Sequence, residues 1–367
     1  MEEKLYQIAL HQADMVGPVI AKSLVAYCGE ASKIFSTPIH KLRKIPNIGE
    51  LTAHAIKNFN AWDRVEKELK FIEDHQIKLL FYTDPEYPSR LRNINDSPLL
   101  LYYKGNADLN AIRTVGIVGT RMVTEYGKLL TENLVSFLSD FQVCVLSGLA
   151  YGVDTVAHKS SVGLNIPTIG ILGHGLDRIY PSQNTSLAKK MCEHGGLLTE
   201  FNINTRPDKQ NFPMRNRIVA GMSDAVVVVE TKKEGGSLIT AQLANDYNKD
   251  VFAFPGRIDD EFSAGCHSLI KDHKAHLIES GADLVALMNW DRSEDLNLST
   301  NQPLLFHDLS SDEQNLLETL KTKQKVHIDL LHQTLTFTPG TLAGLLLGLQ
   351  LKGLIKEMPG KMYSLSS

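Results

Sequence analysis

Between residues 211 and 240 the polarity of the chain changes several times in quick succession. A basic, aromatic stretch (Asn-Phe-Pro-Met-Arg-Asn-Arg) leads into a helical pattern over 213–222. An unbroken apolar run, 225–229, follows. Thr-Lys-Lys-Glu-Gly-Gly-Ser then opens a second helical pattern over 237–247. A short apolar run between turn residues marks a strand buried on both faces, as in a parallel sheet. Arg215 and Arg217 precede this strand, and Gly235, Gly236 and Ser237 follow it. The expectation is that both ends meet in one anion-binding crevice.

The same pattern extends on both sides. Strands are expected at 114–118, 143–146, 168–172, 197–199, 225–230 and 251–254, and helices at 126–138, 153–162, 182–194, 213–222 and 237–247. Strands alternating with helices imply right-handed crossovers and an α/β, doubly wound parallel sheet. Two further strands, 76–82 and 99–103, precede it across a Pro-rich connection. Residues 1–75 carry helical periodicity. Their two turns, Val16-Gly17-Pro18 and Pro46-Asn47-Ile48-Gly49, each stand before an amphipathic run and resemble paired helix-hairpin-helix (SAM-like) units. Such a turn either offers N–H groups to a phosphate or is a plain αα-hairpin. Residues 291–307 are polar and read as a linker. Residues 308–367 read as three helices and a hairpin with a Pro359-Gly360 turn, which is winged-helix order. The expected domains are therefore 1–75, 76–290 and 308–367.

Charge narrows the picture. Lys and Arg total 38 against 42 for Asp and Glu, so any nucleic-acid contact must come from a local basic patch. The four cysteines form no Cys-x-x-Cys, no signal peptide opens the chain and no apolar run is long enough to span a bilayer, which makes a reducing, cytoplasmic setting the default.

In an open parallel sheet, ligands bind beyond the C-terminal strand ends. Every such end here carries glycine, a small hydroxyl or a cation: Gly119-Thr120-Arg121, then Ser147-Gly148, then the long loop with Lys209 and Phe212, then Gly236-Ser237. Glycines let backbone N–H groups approach phosphate, and helix N-termini add a favourable dipole. Neither G-x-G-x-x-G spacing nor a P-loop is present, so neither a dinucleotide cofactor nor P-loop ATP hydrolysis is indicated. Arg121, Lys209, Arg215 and Arg217 with Phe212 among them suit single-stranded nucleic acid, whose backbone follows cations and whose bases stack on rings. Alternatives stay open at this point. Arg217 either reaches the ligand or pairs with Asp224 or Glu230. Phe212 either stacks a base or packs beneath its helix. Asp154 reads as a cap or loop-ordering group. His174 has no nucleophile partner nearby, and Cys266, His267, His273 and His276 match no usual zinc spacing.

These stretches resemble the DprA/Smf family, DNA-processing protein A. The resemblance rests on Gly119-Thr120-Arg121 with Tyr126-Gly127, Ser147-Gly148-x-Ala150-x-Gly152-x-Asp154 and Gly173-x-Gly175-Leu176-Asp177-x-x-Tyr180-Pro181-x-x-Asn184. It rests further on Phe212-Pro213-x-Arg215-Asn216-Arg217, Gly236-Ser237-Leu238-Ile239-Thr240-Ala241 and Val251-Phe252-Ala253-x-Pro255-Gly256. It implies an extended Rossmann-like domain that binds single-stranded DNA, homodimers, and loading of a RecA-type recombinase during natural transformation. It implies no cofactor and no enzymatic activity. Carried over, the DNA contacts fall on Gly119, Thr120, Arg121, Ser147, Gly148, Lys209, Phe212, Arg215, Asn216, Arg217, Gly236 and Ser237. Thr120 stands where serine is usual. Between Leu269 and Gly281 the chain is longer than in many relatives, close to the family's dimer contacts.

Two other functions compete. A nucleotide phosphoribohydrolase of related fold uses Pro-Gly-Gly-x-Gly-Thr-x-x-Glu, and here Gln242 stands in the place of the glutamate, where an amide cannot be a general base. A winged-helix regulator would read duplex DNA through residues 308–367. That segment holds six lysines, six acids and no arginine, and its recognition helix is mostly leucine and glycine. Base-edge readout needs longer polar side chains, so a protein-contact or auxiliary role is expected there.

Overall fold

A computed structural model describes residues 2–290, 310–323, 326–335, 337–351, 354–358 and 362–365. The linker expected at 291–307 and the Pro359-Gly360 turn lie outside the described residues. The chain divides into two compact units, Met1–Ser293 and Glu294–Ser367.

The first unit opens with six helices: α1 (Glu2–Gln12), α2 (Pro18–Cys28), α3 (Ala31–Ser36), α4 (Ile39–Leu42), α5 (Glu50–Lys57) and α6 (Trp62–Asp74). Gly17 and Gly49 stand before α2 and α5 in nearly the same backbone conformation, φ −76°, ψ 170° and φ −78°, ψ 172°. The two hairpins are thus alike in geometry as well as in sequence. The helices do not close a core of their own. Ile8, Leu24, Ile34, Val65 and Ile72 share one apolar cluster with Leu79, Phe81, Leu100 and Tyr102, which belong to strands β1 (Lys78–Phe81) and β2 (Leu100–Gly105).

After the short helix α7 (Ser89–Arg92) the β/α alternation runs as β3 (Arg113–Val118), α8 (Glu125–Leu138), β4 (Val143–Ser147), α9 (Val153–Gly163), β5 (Thr168–Ile171), α10 (Thr185–His194), β6 (Gly196–Thr199), α11 (Asn211–Met222), β7 (Ala225–Val228), α12 (Gly236–Asp246), β8 (Asp250–Ala253), α13 (Ala264–Lys271), β9 (His276–Leu277) and α14 (Gly281–Leu287). The nine strands form one sheet in the order β1-β2-β6-β5-β4-β3-β7-β8-β9. From β6 to β9 all pairings are parallel, and β2 joins β6 antiparallel. The apolar run explains the double winding. Val226 and Val228 pack on the α11–α12 side, while Ala225 and Val227 pack on the α8–α9 side. Alternate residues of a strand point to opposite faces, so a run without polar positions needs helices on both.

The strand order carries the functional geometry. The chain builds outward from β3 to β6, then returns to place β7 on the other side of β3. The loops after β3 and β7 therefore diverge, and a crevice opens between them. This is the topological switch point at which open α/β sheets bind ligands.

The second unit comprises α15 (Ser311–Lys323), β10 (Val326–His327), α16 (Ile328–Thr334), α17 (Pro339–Leu351), β11 (Ile355–Met358) and β12 (Met362–Leu365), with sheet order β10-β12-β11. Ser310 and Glu313 exchange side-chain-to-backbone hydrogen bonds of 3.2 and 2.9 Å, a capping box at the start of α15. Leu316, Leu320, Leu331, Leu342, Leu346 and Leu349 fill its core. This is the expected winged-helix order. Among the described residues no helix is long and apolar enough to cross a membrane.

Candidate nucleic-acid interface

The crevice at the switch point is open and has a volume of about 600 Å³. Its walls are the loop after β3 (Gly119 to Met122), the β4 loop at Gly148 and Ala150, the start of α11, and the loop from Thr231 to Gly236 that opens α12. The walls after β3 and β4 are pinned from behind. The Thr120 N–H donates to the Glu230 carbonyl at 2.7 Å, and the Val153 N–H donates to the Thr120 carbonyl at 3.2 Å. The Glu230 carboxylate is buried and accepts from the Thr124 N–H at 3.0 Å and from its hydroxyl at 2.5 Å. Gly152, at φ +77°, lies where a side chain would run into the Thr120 carbonyl. The β3 and β4 loops can approach this closely only over glycine.

The β4 loop is ordered by Asp154. Its Oδ2 accepts from the N–H groups of Gly148 and Ala150 at 3.1 and 3.2 Å. Burial pushes the Asp154 carboxyl above its ordinary range, against the pull of the Arg215 charge and of these hydrogen bonds. Arg215 itself is buried under the crevice and donates through Nη1 to the Ile171 carbonyl. A side chain at Gly148 would overlap its guanidinium. Arg215 is thus a positive floor beneath the glycine loop, held below its ordinary pKa first by burial yet charged at any working pH. The α12 end adds a helix N-terminus whose cap residue, Gly235, supplies no side-chain hydrogen bond.

Two cations stand free above this floor. Arg121 and Lys209 are both exposed, line the crevice and have no acidic partner among the described residues. The Arg121 guanidinium lies over the Phe212 ring at 5.3 Å from its centroid. Phe212 is partly buried against Gly173 and still lines the crevice, so it both packs and presents a face. Lys232 is engaged, with Glu261 at 2.7 Å and with the Phe262 ring at 4.9 Å.

Gly119, Thr120, Arg121, Gly148, Lys209, Phe212, Arg215, Asn216, Gly236 and Ser237 therefore come together. Two expected contacts do not join them. Ser147 is fully buried and its hydroxyl donates to the Ile117 carbonyl at 2.7 Å, tying β4 to β3. Arg217 turns away. Its guanidinium pairs with buried Glu200 at 2.5 Å, lies 3.8 Å from the Asp96 carboxylate and donates to the Asp96 carbonyl. The partners expected from sequence, Asp224 and Glu230, are engaged elsewhere, Asp224 with Arg90 at 2.6 Å and Glu230 with Thr124. Helical geometry explains the split, and the sequence held the signal. Successive helical residues are about 100° apart, so Phe212, Arg215 and Asn216 share a side while Arg217 lies about 200° from Arg215.

Sequence reasoning passed over two tyrosines. Tyr151 follows the β4 glycine loop, and Tyr180 stands in the loop after β5. With Arg121, Gly173 and Phe212 they line a narrow notch that shares Arg121, Gly148, Ala150, Phe212 and Arg215 with the crevice. The aromatic letters beside those glycines were the available signal.

His174, Gln242, Cys266 and His267, weighed from the sequence for catalysis or metal binding, are each engaged within the protein. His174 is buried with both ring nitrogens engaged. Nδ1 lies 3.0 Å from the Gly175 carbonyl, and Nε2 accepts from the Tyr180 N–H at 3.3 Å. Burial pulls its pKa below the usual histidine value. Gln242 lies outside the crevice lining and donates to Asp246 at 2.8 Å. Cys266 is buried against the Val228 and Val229 carbonyls, and His267 pairs with the Gly256 carbonyl. Among the described residues no group of three His, Cys, Asp or Glu is placed to hold a metal.

Residues 78–289 match the family model for DNA recombination-mediator protein A, and residues 303–361 match the DprA winged helix domain. The chain is 32% identical to Protein Smf of Synechocystis sp. over 398 residues, covering 98% of each chain. It is 41% identical to DNA processing protein DprA of Streptococcus pneumoniae over 203 residues, 55% of this chain and 71% of that one. Among solved structures, DprA from Streptococcus pneumoniae superposes with a TM-score of 0.68 at 31% identity, covering 78% of this chain and 98% of the other. DNA processing protein A from Helicobacter pylori, studied for its single-stranded DNA binding mode, gives 0.54 at 29% identity, covering 59% and 98%.

Proposed function

Because this chain belongs to the DprA/Smf family of DNA-processing proteins, we propose that its switch-point crevice holds single-stranded DNA and that the protein acts as a non-catalytic recombination mediator. The supporting observation is that Arg121 and Lys209, which have no acidic partner among the described residues, stand beside the partly buried Phe212 ring above a buried Arg215 floor. Exposed cations track a sugar-phosphate backbone, glycine loops and the open α12 start admit phosphate oxygens, and the ring stacks a base. The contacts assigned are Gly119, Thr120, Arg121, Gly148, Lys209, Phe212, Asn216, Gly236 and Ser237, with Arg215 supplying charge from below. Ser147 and Arg217 hold the scaffold. In this reading the protein forms a homodimer, protects incoming DNA during natural transformation and loads a RecA-type recombinase onto it. The hydrolase reading loses ground because Gln242 stands outside the crevice lining and His174 is already engaged.

The decisive experiment titrates single-stranded and duplex DNA at two salt concentrations, with and without recombinase. Single strands should bind more tightly. Arg121→Ala and Lys209→Ala should each reduce the magnitude of the salt slope by roughly 0.7. Unchanged affinity and slope in both variants would remove the crevice from consideration. Failure of the protein to speed recombinase filament formation would remove the loading role alone.

A further inference from the structure

We propose that Tyr151 and Tyr180 form a second base-stacking platform, which takes the next bases of a strand as it leaves the crevice past Phe212. The inference rests on the single-strand reading above and extends it to residues that reading does not use.

Three observations carry it. The first is exposure at a continuous site. Tyr151 is 41% and Tyr180 44% exposed, and both line the notch that shares its Arg121, Phe212 and Arg215 wall with the crevice. A strand held by Arg121 and Phe212 needs no new channel to reach them. The second is ring arrangement. Tyr180 and Phe212 have centroids 6.3 Å apart with ring planes 35° from parallel, and the Arg121 guanidinium caps Phe212. Rings at this spacing, with a cation among them, form a graded surface for successive bases that have left a duplex stack. The third is rigidity. The Tyr151 hydroxyl donates to Gln183 Oε1 at 2.6 Å. Its backbone follows a loop fixed by Asp154, in which Leu149 holds φ +56°. The Tyr180 N–H is bound by the buried ring of His174. The Tyr151 ring, anchored at its hydroxyl, loses little side-chain freedom when a ligand arrives, and Tyr180 is fixed at its backbone.

Stacking on a ring is sequence-tolerant because every base has a π face. It requires unpaired bases, and a duplex keeps its bases stacked on one another. The platform thus recognises single strands through their bases, where Arg121 and Lys209 recognise the backbone.

The test pairs protein variants with strand variants. Tyr151→Ala and Tyr180→Ala should each weaken binding of a base-bearing oligonucleotide roughly 5- to 150-fold and leave the salt slope unchanged. Tyr180→Phe should bind as the unaltered protein does, and Tyr151→Phe, which keeps the ring but lacks the Gln183 anchor, should lose less than Tyr151→Ala. An oligonucleotide of the same length carrying a run of abasic sites should bind the unaltered protein and the alanine variants alike. Equal loss on both strands, or base-strand affinity unchanged in the alanine variants, would overturn the platform. Arg121→Ala separates the two levels. If it weakens binding while the tyrosine variants do not, the platform fails and the crevice stands. If it too has no effect, the crevice reading fails first.

Discussion

The two sides of α11 make an instructive comparison. One side carries Phe212, Arg215 and Asn216 into the crevice; the other carries Arg217 into a polar network with Glu200 and Asp96. The network continues outward. Tyr247 donates to the Asp96 carboxylate, Lys22 donates to Ser97, and His11 meets the Glu200 carbonyl at 2.9 Å. On this side every charge has been assigned to another part of the protein. On the crevice side Arg121 and Lys209 have no acidic partner among the described residues, and the aromatic rings are only partly covered. The lesson is that the number of cations does not mark a ligand site. In the proposed reading the mark is cations left without an acidic partner beside partly covered rings.

The sharpest way to break this contrast is Arg217→Ala. It leaves the Glu200 carboxylate buried without its partner, which should cost about 3–5 kcal/mol of stability, read by chemical or thermal unfolding. The protein that stays folded should keep its single-strand salt slope. A lowered slope with stability intact would move Arg217 to the DNA-contact side.

Phe212→Ala acts on the other side and should have the opposite profile. Single-strand affinity should fall by about 1–3 kcal/mol with little change in the unfolding midpoint, because the ring is only partly buried. A large loss of stability would show that its packing against Gly173 matters more than stacking.

Acid sensitivity sharpens the comparison further. Burial holds His11 at about 4 and His158 at about 3. In the unfolded chain both titrate near 6.5. Below that value the unfolded state takes up protons that the native state refuses. Stability should therefore be complete above pH 6.5 and fall as the pH drops, by up to about 1.4 kcal/mol per pH unit for each histidine. Glu200 and Asp154, pushed up by burial, act in the opposite sense. Unfolding measured between pH 7 and 5 should show the decline, and His11→Gln should flatten it. An identical profile in that variant would leave His158 as the source.

The smallest effect is expected from the C-terminal unit. Among the described positions of α17 the outward ones are Gly340, Thr341, Ala343, Gly344, Leu347 and Gln350, a surface with no cation and little reach towards base edges. Removing residues 294–367 should change single-strand affinity by no more than about twofold. A larger loss would make that unit part of the DNA site.

Much of the fold was legible in the chain because its signals are local. The apolar 225–229 run needed cover on two faces, and the β/α alternation required parallel crossovers. Gly17 and Gly49 announced two matching hairpins. What escaped was long-range pairing. The helices of the first 75 residues complete their core on β1 and β2, which local periodicity cannot show. Ser147 stood in a motif whose next residue, Gly148, lines the crevice, yet its position as the last residue of β4 turned its hydroxyl onto β3.

The sequence by itself determined the alternating strands and helices of a parallel sheet, and a surplus of glycine and cations along one edge. These follow from hydrophobic period and turn chemistry, which act over a few residues. It also held, in the spacing of Arg215 and Arg217, the fact that one helix could not send both to the same place. Only the tertiary structure decided which of them met the crevice, because that depends on where Glu200 and Asp96 arrive from distant segments to neutralise a charge. Likewise, only the folded loops brought Tyr151 and Tyr180 to Phe212. Stacking surfaces are made by rings that meet in space, and nothing local in the chain records that meeting.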